Sequence, residues 1–211
     1  MRGRWLWLGA GLVYALFRLW YDGVSGPLSP AEIETYVEKL RAAGAVEEPE
    51  RLAGMREFLR RDDGEEFFML NLLRLHPGPV ADPGDARPRP AREVLRVYTD
   101  GFLPALYARA GHFSFGGEAA GLYIERWGVE PDPGWSAAGV FRYRSRRDLM
   151  DLATDPEFES IHAYKLAALA NTLALPVSPG AAIFGPRVWV ALGLALLAAL
   201  GHLALALRRG S

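Results

Sequence analysis

Few side chains in this sequence have a type and a setting that could do chemistry. Asn71 sits in Phe67-Phe68-Met69-Leu70-Asn71-Leu72-Leu73, where it alternates with Met69 and Leu73 and so points to their side of an extended strand. A buried amide needs partners, which a neighbouring backbone group, an interface or a ligand could supply. Arg142 shares a strand face with Ser136, Ala138 and Val140. It could grip a carboxylate-bearing ligand with two N–H groups, or pair with an acid of the protein itself. His162 falls in the helical stripe Phe158, His162, Leu166. Facing a cavity it could serve as a base or a haem ligand; facing the core it would be a packed imidazole. His112 follows Gly111 at a helix-to-strand turn, where it either caps the turn or stands at a pocket mouth. Tyr98 offers a ring to bury and a hydroxyl that needs one partner. The chemistry within reach of this set is modest: ligand orientation by Asn71, Tyr98 and Arg142, and proton transfer near neutral pH by His112 or His162.

Other chemistries lack their residues. There is no phosphate loop, dinucleotide fingerprint, paired-histidine zinc motif or nucleophile elbow. With no cysteine in the chain, disulfides, thiolate metal sites and cysteine nucleophiles are excluded. Neither a metal nor a cofactor is expected. Gly116-Gly117 fits a bulge or turn better than a phosphate cradle. The segment between Asp22 and Pro186 holds all 25 acidic residues against 18 basic ones, a net −7 that repels nucleic acid.

The elements that must position these residues follow from periodicity. Ser29-Pro30-Ala31-Glu32 combines an N-cap, a first-turn proline and a capping-box glutamate, and the helix it starts buries Ile33, Tyr36, Val37 and Leu40. A second start at Glu48-Pro49 leads into Leu52, Met55, Phe58 and Leu59. The stretch 67–73 reads as a buried strand. Residues 76–90, with five prolines, read as a loop, either a plain connection or a lid. Val94, Leu95, Tyr98, Phe102 and Leu106 form a helical stripe that Gly101 and Pro104 are expected to kink. A strand region follows from His112 through Leu122-Tyr123-Ile124, then a third strand over Trp135–Tyr143. Ser145 and Asp155-Pro156 open two further helices, the last with a stripe reaching Leu173, and a short strand at Leu173–Val177 closes the domain. Strand, helix, strand, strand, helix, strand is the split βαβ order of a ferredoxin-like α+β fold. Its helices cover one sheet face, so the other, still apolar, calls for a second copy.

Both ends are apolar. Residues 188–207 hold His202 as their one strongly polar side chain, and twenty residues of helix reach about 30 Å, the thickness of a bilayer core. Trp5 to Trp20 is a second such run, read as an uncleaved anchor or as a signal peptide. Arg2 and Arg4 precede the first run and Arg208 and Arg209 follow the second, which places both termini in the cytoplasm and the domain on the outer side. Ala191, Ala195 and Ala199, with Gly11 and Ala15, offer small-residue faces for helix pairing.

The strand FFMLNLLRL, the helix with Tyr98 and Pro104 ending at Gly111-His112, and the segment WSAAGVFRYRSRRDLMDLATDPEFESIHAYKLAAL resemble small uncharacterised members of the dimeric α/β-barrel superfamily. The resemblance covers roughly residues 65–178. It implies a homodimer whose sheets form a shared barrel, with a cavity between sheet and helices. The expected organisation is therefore an N-terminal anchor (1–21), a helical lead-in (22–64), the ferredoxin-like domain (65–178), a linker (179–186) and a C-terminal transmembrane helix (187–208). The function expected is binding of a small apolar ligand, or assembly; the alternative is a cofactor-free oxygenase or isomerase acting on an apolar small molecule.

Overall fold

The computed structural model describes residues 3–44, 48–180 and 185–208, except for the side chain of Ala86. Arg2 and Arg209, used above for orientation, and the middle of the linker lie outside the described residues. In chain order the elements are α1 (Arg4–Asp22), α2 (Pro30–Ala42), α3 (Pro49–Arg60), β1 (Phe67–Leu75), β2 (Pro79–Asp82), β3 (Asp85–Pro90), α4 (Ala91–Ala108), β4 (His112–Glu118), β5 (Ala137–Tyr143), α5 (Arg146–Ala153), α6 (Pro156–Ala168), β6 (Leu169–Val177) and α7 (Pro186–Leu207). They fall into two units: the terminal segments, up to Val24 and from Pro179 on, and the segment Ser25–Ser178.

In the larger unit β1 pairs with β5 on one side and β6 on the other, and β4 lies outside β5, giving the antiparallel order β4-β5-β1-β6. This is the ferredoxin-like arrangement, an α+β fold in which β1 and β4 run parallel with β5 between them. The register sorts the two faces. Phe67 opposes Tyr143 and Met69 opposes Phe141, and these side chains pack with Phe102 and Leu106 of α4 and Leu152 of α5 into one core. On the other face Phe68, Leu70 and Leu72 oppose Val177, Leu175 and Leu173. That face is left open, with Leu175 50% and Phe115 72% exposed.

The lead-in helices form a second core. The Ser29 capping box is made, and Ile33, Tyr36, Val37 and Leu40 pack with Leu59 of α3 and Met150 of α5. Helix α4 runs unbroken through Pro104, and Gly101 serves close approach instead of a kink: a Cβ there would lie 2.9 Å from Ile161 Cδ1 on α6.

Further expectations are corrected. Residues 76–90 are not all loop, because β2 and β3 form a separate hairpin. A two-stranded ribbon is edge on both sides, so proline costs it little, and Asp82 clasps the turn by accepting from Gly84 N at 2.8 Å and Arg89 Nη1 at 2.7 Å. Next, β4 stops at Glu118, and the chain returns only at Ala137. Between them Asp132 accepts from the backbone of Tyr123, Gly134 and Trp135, an arrangement of side chain to backbone bonds that replaces strand pairing. Finally, α6 ends at Ala168, not Leu173, because from Leu169 onward the backbone pairs along the whole of β1.

In the smaller unit α1 and α7 pack antiparallel. Trp7 Nε1 donates to His202 Nδ1 at 3.2 Å near one end, and Arg187 meets Asp22 at 2.7 Å near the other, with its guanidinium 4.9 Å from the Tyr21 ring centroid. The packed positions of α7 are Ala191, Leu194, Ala198 and Gly201, while Ala195 and Ala199 face outward. Spacings of three and four alternate along a contact seam, whereas a strict four-residue repeat drifts around the helix. Among the described residues one helix, Pro186–Leu207, is long and apolar enough to cross a membrane, with mean hydropathy 2.3. Helix α1 does not reach that measure, although Leu8, Leu12, Leu16 and Leu19 are exposed along it.

Candidate functional site

The layer between the sheet and helices α4 and α6 is aromatic. Tyr98 stacks on Phe102 with centroids 5.3 Å apart, Phe102 meets Phe141 edge-on, and Tyr143 stacks on Phe67 at 5.2 Å. Such contacts follow from the pattern. Tyr98 and Phe102 are one helical turn apart, and Phe141 and Tyr143 alternate on β5 toward the helices.

Polar atoms interrupt this layer at four places. The hydroxyls of Tyr98 and Tyr143 have no hydrogen-bond partner among the described residues, and burial pushes both well above the ordinary tyrosine range. The Tyr143 phenol raises Tyr98 further. The His162 ring stands edge-on to Tyr98 at 6.1 Å and tilted against Phe158 at 5.7 Å, and its buried Nδ1 has no hydrogen-bond partner among the described residues. Burial holds His162 below the usual histidine value, and Lys165 and Arg51 add to that. Lys165 places its Nζ 5.6 Å from the Tyr98 ring centroid, and burial lowers its pKa as well.

A cleft of about 300 Å³ opens beside this group. Leu40, Ala43, Ala153, Phe158 and Leu166 supply its apolar walls, with His162 and Glu159 as polar members. That size and lining suit a small, mostly apolar molecule. α2 closes one side, so the lead-in helices contribute to the site as well as to stability.

Of the five sequence candidates, the structure brings Tyr98 and His162 together in this layer. Asn71 is buried and faces the helix layer with Met69, and its Nδ2 donates to the Met69 carbonyl at 3.1 Å. Arg142 and His112 are register partners on the opposite sheet face. Arg142 is fully buried, its Nε 2.5 Å from Glu66 Oε2 and its Nη1 2.6 Å from the carbonyl of Ala110. His112 Nδ1 lies 3.2 Å from the Phe113 carbonyl and 3.3 Å from Ser114 Oγ. The residues that sequence reasoning passed over are Tyr143 and Lys165. One signal existed: the chain has 22 arginines and only two lysines, Lys39 and Lys165, and Lys165 lies one turn beyond Ile161 on an apolar helix. Among the described residues no three His, Cys, Asp or Glu side chains are grouped to hold a metal ion.

No protein-family model matches this chain, and no curated protein matches it at a significant level. Among solved structures, a protein of unknown function from Rhodopseudomonas palustris is 20% identical with a TM-score of 0.52, over 65% of this chain and 97% of its own. The methylated form of that protein gives 20% and 0.53 over 67% and 95%. A dimeric protein of unknown function from Bacteroides fragilis, described as ferredoxin-like, is 14% identical over 54% of this chain and 96% of its own, and its TM-score of 0.33 carries no argument. At these identities the Rhodopseudomonas likeness speaks to fold alone: the domain is α+β, and it shares its architecture with proteins whose function is unknown.

Proposed function

We propose that the protein is a membrane-anchored, homodimeric ferredoxin-like domain that binds a small apolar ligand in the cleft beside His162. The observation that carries ligand binding is the cleft itself, whose apolar walls meet His162 at the edge of the aromatic layer. A ligand with an apolar body and one hydroxyl or carbonyl group would fill the cleft and meet a polar atom there. Titration of the full chain in detergent with 3-phenylpropanol tests this. Saturable binding is expected, weakened about two- to tenfold in His162→Phe, the worth of one hydrogen bond. Absence of saturable binding ends the reading.

Dimerisation is supported by the open sheet face, since several hundred square ångströms of apolar surface at about 25 cal/mol per Å² favour pairing before association costs are subtracted. Light scattering should report a dimer, and Leu175→Asp should shift it toward monomer. A wild-type monomer would remove the shared-barrel argument. Anchoring rests on α7 and extends to α1 through the Trp7–His202 and Asp22–Arg187 contacts, giving two spans. With Arg4 and Arg208 at their cytoplasmic ends, the domain lies outside the membrane, and protease added to intact cells, with any outer envelope opened, should digest it.

A second reading, cofactor-free proton transfer as in an isomerase, is favoured by one observation. Burial drives His162 toward its neutral form, and a neutral imidazole at the edge of a cleft can accept a proton.

A further inference from the structure

We propose that the protein holds a second binding site, a cavity of about 350 Å³ between α3, α5 and the adjoining ends of β1 and β6, which takes a small carboxylic acid with an apolar body, its carboxylate accepting from Arg146 Nη2. No lining residue is shared with the cleft beside His162, so the proposal goes beyond the ligand-binding reading and does not depend on it.

The walls are apolar. Phe67 opens β1, and Val177 ends β6 as the register partner of Phe68, which brings two strand ends to the cavity. Phe58 of α3 meets Phe67 edge-on with centroids 5.3 Å apart, so the two rings form a corner. Gly54, one turn earlier on α3, also lines the cavity, in the interior of a helix where glycine costs stability relative to alanine. Neither a left-handed backbone nor close packing calls for it, since a Cβ there would meet nothing within 4 Å. What the glycine preserves is open volume beside the rings.

The polar group is Arg146. Its side chain is 8% exposed, and its guanidinium lies over the Phe58 ring, 5.0 Å from the centroid. Asp62 and Asp63 both accept from Nη1 at 3.1 Å, which fixes the plane of the group. Nε and Nη2 have no hydrogen-bond partner among the described residues, and of the two only Nε is fully enclosed. Arg142, the arginine read from sequence as a carboxylate grip, is spent on Glu66, whereas Arg146 presents an oriented cation with an N–H left over at the wall of a cavity. Asp62 also accepts from Leu28 N at 2.7 Å and Asp63 is open to water, so part of the charge of both acids is met elsewhere. Arg61 and Glu57 pair with each other at 2.8 Å and add no net charge to the lining. An apolar body would rest on the two rings with its carboxylate at Arg146.

The test is equilibrium dialysis of the full chain in a non-ionic detergent at neutral pH, with 3-phenylpropanoate as the probe and 3-phenylpropanamide as its uncharged counterpart. Saturable binding of the acid is expected, at least about tenfold tighter than the amide, the advantage of a charged acceptor on a guanidinium. Gly54→Leu is expected to weaken it about tenfold or more while the melting temperature does not fall, because leucine fills the space and favours the helix. Arg146→Met should abolish the preference for the acid. That change also frees Asp62 and Asp63, and if the variant fails to fold, Gly54→Leu, which touches no ion pair, decides. Acid binding unchanged in a folded Gly54→Leu overturns the site. Equal binding of acid and amide overturns the carboxylate, and absence of saturable acid binding overturns the proposal.

Discussion

At one end of the sheet Arg142 is fully buried, with Glu66 2.5 Å from its Nε and the Ala110 carbonyl 2.6 Å from its Nη1, whereas on α6 Lys165 is half-buried with an aromatic ring for a neighbour and no acid within reach among the described residues. The first region spends its polar groups on one another. Its pairing pins the Glu66 end of β1 to the turn between α4 and β4, where Ala110 adopts a left-handed backbone with φ of 56°. The second region keeps polar atoms unspent: two tyrosine hydroxyls, one imidazole nitrogen and one amine face an aromatic layer with no hydrogen-bond partner among the described residues. A buried charge is tolerated when matched and costs stability when not, so unmatched groups persist where something other than stability maintains them. That difference separates the scaffold end of the domain from its candidate site.

Glu66→Ala leaves Arg142 buried without its acid and should cost about 3–5 kcal/mol in chemical denaturation, the usual penalty for removing one member of a buried pair. A loss below about 1 kcal/mol, typical of a surface pair, would mean that Arg142 is not the matched cation described here.

Acid unfolding reads the other region. Because burial lowers His162 in the folded state, the unfolded chain takes up its proton first, and the stability this group contributes is present above its unfolded value. It is lost as pH falls below about 6.5 toward the folded value, with a slope no steeper than one proton's, about 1.4 kcal/mol per pH unit. His162→Phe should flatten the curve in that window. An unchanged slope would show that the ring is not held neutral by its surroundings.

The smaller effects sharpen the contrast. Lys165→Met, which keeps the apolar stem and deletes the amine, should leave stability unchanged or raise it by up to about 1 kcal/mol, because no ion pair is broken and a desolvated charge is removed. A loss of several kcal/mol would assign Lys165 to the scaffold. Tyr98→Phe should change stability least, within about 0.5 kcal/mol, since the hydroxyl it deletes has no hydrogen-bond partner among the described residues.

Much of the architecture was legible in local patterns. The Ser29 capping box, the Ser145 and Asp155 caps and the apolar run at Phe67 each mark an element by chemistry confined to a few neighbouring residues. What failed depended on distant partners. The β2–β3 hairpin is proline-rich and unlike a strand in composition, and the boundary between α6 and β6 is set by β1, about a hundred residues earlier in the chain. The site was half legible for the same reason: His162 and Tyr98 were visible as polar tips on apolar stripes, but nothing local distinguishes Lys165 from a solvated lysine.

By itself the sequence determined the ferredoxin-like order of elements, the apolar character of both ends and the absence of cysteine chemistry, because these depend on residue type and on spacing within one element. Tertiary structure alone decided which polar groups are matched. Arg142 and Glu66 are 76 residues apart and meet across the end of the sheet, while Lys165 meets no acid at all among the described residues. Whether a charge finds its partner is a property of the packed arrangement, since burial and distance set its energy and neither is written in the residues on either side of it.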